Sequence, residues 1–314
     1  MSQQLLVESD AFDPEVKIVG SLPRCKTHLY SGHPDTLRRR TILRALAERD
    51  QNVQFQAGLL YLNPTLIKPN PAKAATWFSK AARNGNAAAQ YNLGLLHMSG
   101  KGVKKDLNQA RQWFTAAAAG GVLEAQNNLG VIYERGLGVE SDPIQAFRWF
   151  EFAALNGLAK AQFNLGTMYL MGTGVQQSNS QAFHWFLRAA AKGHRKAQFN
   201  VAVSYATGFG TEANEWEAQR WFETFARGAD ADMQIDLGLR FYNGNGVPKD
   251  LKRAGFWLCQ AARQGSSRAL YNLGMLHFAG TPSLVNKQTA LRLVRAAADR
   301  GYPKAQAFLS KRGA

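Results

Sequence analysis

A small residue recurs every 36 positions along the chain, at Gly58, Gly94, Gly130, Gly166, Ala202, Gly238 and Gly274. An aromatic pair follows each at a constant offset: Trp77-Phe78, Trp113-Phe114, Trp149-Phe150, Trp185-Phe186 and Trp221-Phe222. The register continues through Trp257-Leu258 and Leu293-Val294. A fixed period of this length marks a solenoid, in which no unit buries its apolar face alone and stacking supplies the core. It overrides the two-domain expectation that 314 residues would otherwise carry.

One period reads as two helices. In residues 125–160, Leu129, Ile132 and Tyr133 stand at helical spacing, which predicts a first helix (A) over 125–135. Gly136 and Gly138 end it, and the same Gly-x-Gly stands at 100/102, 172/174, 208/210 and 244/246. A second helix (B) begins after a short polar cap, with Pro143 in its first turn, where a missing N–H costs nothing. Asn70, Asp106, Asp142, Ser178, Asn214, Asp250 and Asn286 fill the cap position in turn. Glycine in mid-helix costs roughly 1 kcal/mol against alanine. Glycine at six of the seven equivalent sites is therefore expected to make a hollow that the Trp-Phe pair enters.

The strings AQYNLG, GKGVKKD, Ala110 and QWFTAAAAGG, with equivalents in every unit, resemble the Sel1-like repeat family, a relative of the tetratricopeptide repeat. Leu165-Gly166-x-x-Tyr169 and Ala110-x3-Phe114 match the tetratricopeptide signature, and the longer Gly-x-Gly-Val loop is the Sel1-like hallmark. The likeness covers about residues 53–310. It implies an all-α, right-handed α-solenoid of seven 36-residue helix-turn-helix repeats over 53–304. Residues 1–34 are expected to be extended or disordered, 35–52 to form a basic N-terminal capping helix, and 305–314 to close the C-terminus. The first and seventh units depart from the pattern at Pro64, Leu66, Pro282 and Leu293-Val294, as terminal repeats do. The fifth departs internally, with Phe225 where alanine is usual.

Composition bounds the setting. The chain is 46% hydrophobic with mean hydropathy −0.30, and no stretch approaches a membrane span. Residues 1–15 hold four acids and no Lys or Arg, unlike a signal peptide, and two cysteines make no disulfide framework. A cytoplasmic, monomeric protein is expected, and the resemblance implies a bacterial one. The net charge of +16 calls for considering an acidic partner. Its distribution is uneven: residues 16–52 carry +5, whereas the unit 197–232 carries −4, so no continuous basic stripe follows the chain.

No H-x-x-x-H, C-x-x-C, P-loop, G-x-S-x-G or S-x-x-K motif is present, and neither cofactor, metal site nor catalytic group is expected. Three surfaces are candidates for contact. In tetratricopeptide relatives an asparagine on helix A faces the concave groove and hydrogen-bonds a peptide backbone. The resemblance places Asn92, Asn128, Asn164, Asn200, Asp236 and Asn272 there; the alternative is that they satisfy helix termini within the scaffold. Near the end of helix A, Tyr242 and Phe278 are candidate anchors on the same face, and Arg240, four residues after Asp236, is either a polar patch or a local ion pair. Trp216 is the single tryptophan outside the repeat register. Arg38, Arg39 and Arg40 form a basic cluster suited to an acidic protein tail or to nucleic acid. The function expected is a non-enzymatic scaffold or adaptor holding a peptide or protein. Alternatives are a nucleic-acid-associated regulator and a toxin-neutralising or secretion-associated adaptor.

Overall fold

The computed structural model describes residues 50–64, 68–227, 230–245, 247–279 and 286–311. Among these, fifteen helices and no strand are found. Helices of type A are α1 (Gln51–Leu60), α3 (Ala87–Ser99), α5 (Leu123–Arg135), α7 (Ala159–Met171), α9 (Arg195–Thr207), α11 (Ala231–Asn243), α13 (Ser267–Ala279) and α15 (Pro303–Ser310). Helices of type B are α2 (Pro71–Arg83), α4 (Leu107–Ala119), α6 (Pro143–Leu155), α8 (Asn179–Ala191), α10 (Glu215–Ala226), α12 (Leu251–Arg263) and α14 (Lys287–Asp299). The fold is a solenoid of helix-turn-helix repeats. The chain divides into two compact units, α1–α7 ending with Gln177 and α8–α15 beginning with Ser178.

Each B helix starts where its polar cap stands. The side chains of Asn70, Asp106, Asp142, Ser178, Asn214, Asp250 and Asn286 all accept from backbone N–H groups of the following turn. Helix A ends on the first glycine of the loop: Gly100 adopts φ 72° and its N–H reaches Leu96 O at 2.8 Å. The second glycine has a different task. A Cβ on Gly102 would lie 2.3 Å from Pro71 C, so the loop rests directly on the start of the preceding B helix.

The mid-helix glycines are hollows, but for one ring only. A Cβ on Gly58, Gly94 or Gly130 would come within 2.5, 2.8 and 2.5 Å of Phe78, Phe114 and Phe150. The phenylalanine of each pair therefore lies over the glycine, not the pair as expected. The tryptophan packs elsewhere: Trp113 and Trp149 are half-buried against the edges of the clusters around Leu93 and Leu129. Where the aromatic pair weakens, Leu258 and Val294 fill the hollows at Gly238 and Gly274.

A glutamine ladder ties six of the A helices to the helix before them; α13 has Leu270 at that position. Nε2 of Gln90, Gln126, Gln162, Gln198, Gln234 and Gln306 donates to the carbonyl of Ala82, Ala118, Ala154, Ala190, Ala226 and Ala298, at 3.1–3.3 Å. These are carbonyls of the last turn of helix B, where the helix itself supplies no i+4 donor, and the glutamine shares Ala82, Ala118, Ala154, Ala190 and Ala298 with the N–H of the glycine that follows the helix. At the ends, residues 35–49 of the expected N-terminal cap lie outside the described residues. Asp50 has extended backbone and caps α1 through Asn52 N, so residues 51 and 52 lie in α1. At the other end α15 packs Phe308 against Phe278 and Tyr271, with centroids 5.5 and 6.4 Å apart.

Candidate functional site

The asparagine column divides in two. Asn92, Asn128, Asn164 and Asn200 are at most 8% exposed, closed in on helices whose central residues are buried on every face. Asn164 Nδ2 donates to Asn127 Oδ1 at 3.0 Å. Beside Asn128, burial and then the Glu124 carboxylate push the Tyr91 hydroxyl up to about 12. Asp236 is exposed and Asn272 half-buried. The first four positions thus point into protein, while the last two reach the surface of the second unit.

Arg240 makes the local ion pair. Its Nε pairs with Asp236 Oδ2 at 2.8 Å, and its guanidinium lies 4.9 Å from the Phe199 ring centroid. Tyr242, half-buried, has Lys249 Nζ 5.9 Å from its ring. Phe278 is taken up by the packing of α15. The second unit therefore brings Asp236, Arg240 and the Phe199 ring together, and leaves Phe278 in the scaffold.

Trp216 is 68% exposed at the start of α10, with Arg220, itself bonded to Glu217, 5.7 Å from the ring. Arg38, Arg39 and Arg40 lie outside the described residues. A surface not anticipated from sequence stands on α6. Ile144, Phe152 and Leu155 are 57, 55 and 65% exposed, spaced to fall along one side of the helix together with exposed Arg148. Ile144 and Trp216 occupy the same register position two repeats apart, a signal present in the sequence once the cap column is aligned. Among the described residues no group of three His, Cys, Asp or Glu side chains converges to hold a metal, and no helix is long and apolar enough to cross a membrane.

The Gly-x-Gly loop seated on the preceding helix, the glycine-phenylalanine hollow and the 36-residue step coincide with one family pattern. The Sel1 repeat matches residues 52–86, 87–122, 123–158, 159–194, 195–230, 231–266 and 267–302. The chain belongs to the Sel1 repeat family. Solved Sel1-type structures are similar to it. The protective antigen c5321 of uropathogenic Escherichia coli, which displays an SLR fold, matches with TM-score 0.70 and 30% identity over 90% of this chain. This chain spans 60% of that protein's length. A Sel1 repeat protein from Oxalobacter formigenes matches with TM-score 0.65 and 32% identity, covering 90% of this chain and 82% of the other. No curated protein matches the chain. Sel1 repeat proteins are generally non-catalytic scaffolds for protein–protein interaction.

Proposed function

We infer that this Sel1 repeat protein is a non-enzymatic scaffold that holds a protein or peptide partner on side chains its helices keep at the surface. The observation that carries the reading is the set of large apolar residues displayed on otherwise well-packed helices. Trp216 on α10 and the Ile144, Phe152, Leu155 row on α6 present apolar area to solvent, whereas the repeat-defining phenylalanines are fully buried. Rigid aromatic and aliphatic anchors of this kind dominate protein interfaces. They stand at positions where the repeats differ from one another, so specificity varies without disturbing the stack. Asp236, Arg240 and Tyr242 add a polar-aromatic patch in the second unit; the buried asparagines belong to the scaffold in this reading.

Affinity capture from the source cells tests it, comparing the intact chain with two variants, Trp216→Ala and Ile144→Ser with Phe152→Ser and Leu155→Ser. A protein partner retained by the intact chain and lost from at least one variant, with unchanged melting, is the expected result. Identical capture by all three places the contact elsewhere, and no specific capture by the intact chain removes the scaffold reading.

A further inference from the structure

Two of the wedges between consecutive repeats are closed by the same aromatic pair. Phe147 of α6 meets Tyr169 of α7 edge-on, with centroids 5.5 Å apart and planes at 82°. Phe183 of α8 meets Tyr205 of α9 likewise, at 5.2 Å and 83°. The same two register positions in the first wedge hold Ala75 and His97. Both are smaller than the residues they replace, and a cleft of about 600 Å³ opens there between α2, α3 and α4. It lies within the first compact unit.

The walls have a definite chemistry. Trp113 supplies a half-buried aromatic face, and Ala75 a buried apolar floor. Lys80 and Arg83 stand at the exposed rim, and among the described residues no carboxylate lines the cleft to neutralise them. Nδ1 of His97 is buried without a hydrogen-bond partner. A cleft that lacks the aromatic pair of those two wedges, faced by Trp113 and bordered by Arg83 and by Lys80, which rests on the Trp77 ring, with no carboxylate beside them, is complementary to an aromatic ring with anionic groups beside it.

We propose that this cleft docks an aromatic side chain flanked by acidic residues, presented by the protein partner. The proposal rests on the scaffold reading and gives it a chemical preference. The ring enters the space that Phe and Tyr occupy in later wedges and faces Trp113. The flanking carboxylates reach Lys80 and Arg83 at the rim, in keeping with the chain's positive net charge.

The test uses the full chain and a fluorescein-labelled peptide, Asp-Glu-Phe-Glu-Asp, followed by anisotropy. Saturable binding is expected, weakened about tenfold or more when the peptide's Phe is replaced by Ala or its acids by Lys. Ala75→Phe with His97→Tyr installs the pair found in the later wedges, and should abolish binding while keeping or raising the melting temperature. Lys80→Glu with Arg83→Glu alters only exposed side chains and should abolish binding with the fold intact, which keeps the test valid if the filled variant misfolds. Equal binding by the wild type and either variant, equal binding of the lysine peptide, or no anisotropy change with the wild type overturns the proposal. Saturable binding of phenylacetate with none of the peptide also overturns the assignment to a protein partner. Capture of a partner by the filled variant as well as by the wild type sinks the cleft and leaves the scaffold; a wild-type chain that captures nothing sinks the scaffold instead.

Discussion

At the residue scale the repeat is held by a few contacts whose removal has predictable costs. Gly130 lies beneath Phe150, whose Cε1 sits 2.5 Å from where a Cβ would be. Gly130→Val should overpack the hollow and destabilise by about 1–3 kcal/mol in urea melts. Phe150→Leu added to it should recover part of that loss, because Leu258 already serves over Gly238. Full additivity of the two losses would show that the hollow is not what couples them. Gln162→Ala removes one of the two donors to the Ala154 carbonyl and leaves the Gly157 N–H in place, which is expected to cost about 0.5–1.5 kcal/mol, measured the same way. Tyr91 makes a pH prediction. Its hydroxyl is raised from 10.0 to about 12, so the folded state keeps a proton that the unfolded chain gives up. Its contribution is therefore complete below pH 10 and is lost as pH climbs through about 12, at about 1.4 kcal/mol per pH unit in between. Tyr91→Phe keeps the ring on Phe114 and should flatten that part of the alkaline profile; an unchanged slope between the two proteins counts against it.

At the scale of the element, the starts of the B helices and the ends of the A helices were legible because they are written in local chemistry, whereas the A helices after Val122 and Leu158 begin without a side-chain cap. A polar cap opens helix B and a glycine closes helix A, and neither depends on distant contacts. The glutamine ladder was not legible. Gln126 looks like any polar residue on a helix, and its meaning arises only when the loop folds the Ala118 carbonyl back toward it. The asparagine column shows the converse limit. A constant polar residue is written identically whether it serves a partner or the scaffold, and burial separates Asn164 from Asp236 although they share a column. The α6 row was hidden for a third reason: helix B carries apolar residues on more than one side, and sequence does not say which side is already paired. Because Ile144, Phe152 and Leu155 face solvent, replacing all three with serine should leave the melting temperature within the small range typical of surface changes. A cooperative loss of stability would show that this side is packed.

At the scale of the whole molecule, stacking makes stability a property of neighbours rather than of a single core. Most helices are tied to their neighbours by short-range devices, the glutamine to the preceding carbonyl and the loop glycine to the preceding helix start, so damage should spread only as far as these links carry it. The last repeat offers a clear case. Phe308 on α15 covers Phe278 and Tyr271 on α13, while Val294 and Ala297 of α14 share the same small cluster with Ala305. Removing that ring exposes apolar surface on α13 and leaves α14 without its cover. Phe308→Ala should therefore raise amide hydrogen exchange across α13–α15 and leave α1–α7 at the wild-type rate, with a graded response in α11 and α12. Exchange that rises uniformly would mean that the repeats unfold as one cooperative body. Exchange unchanged in α13 and α14 would mean that α15 caps nothing, and that the seventh repeat, despite its weakened Leu293-Val294 pair, closes the stack by itself.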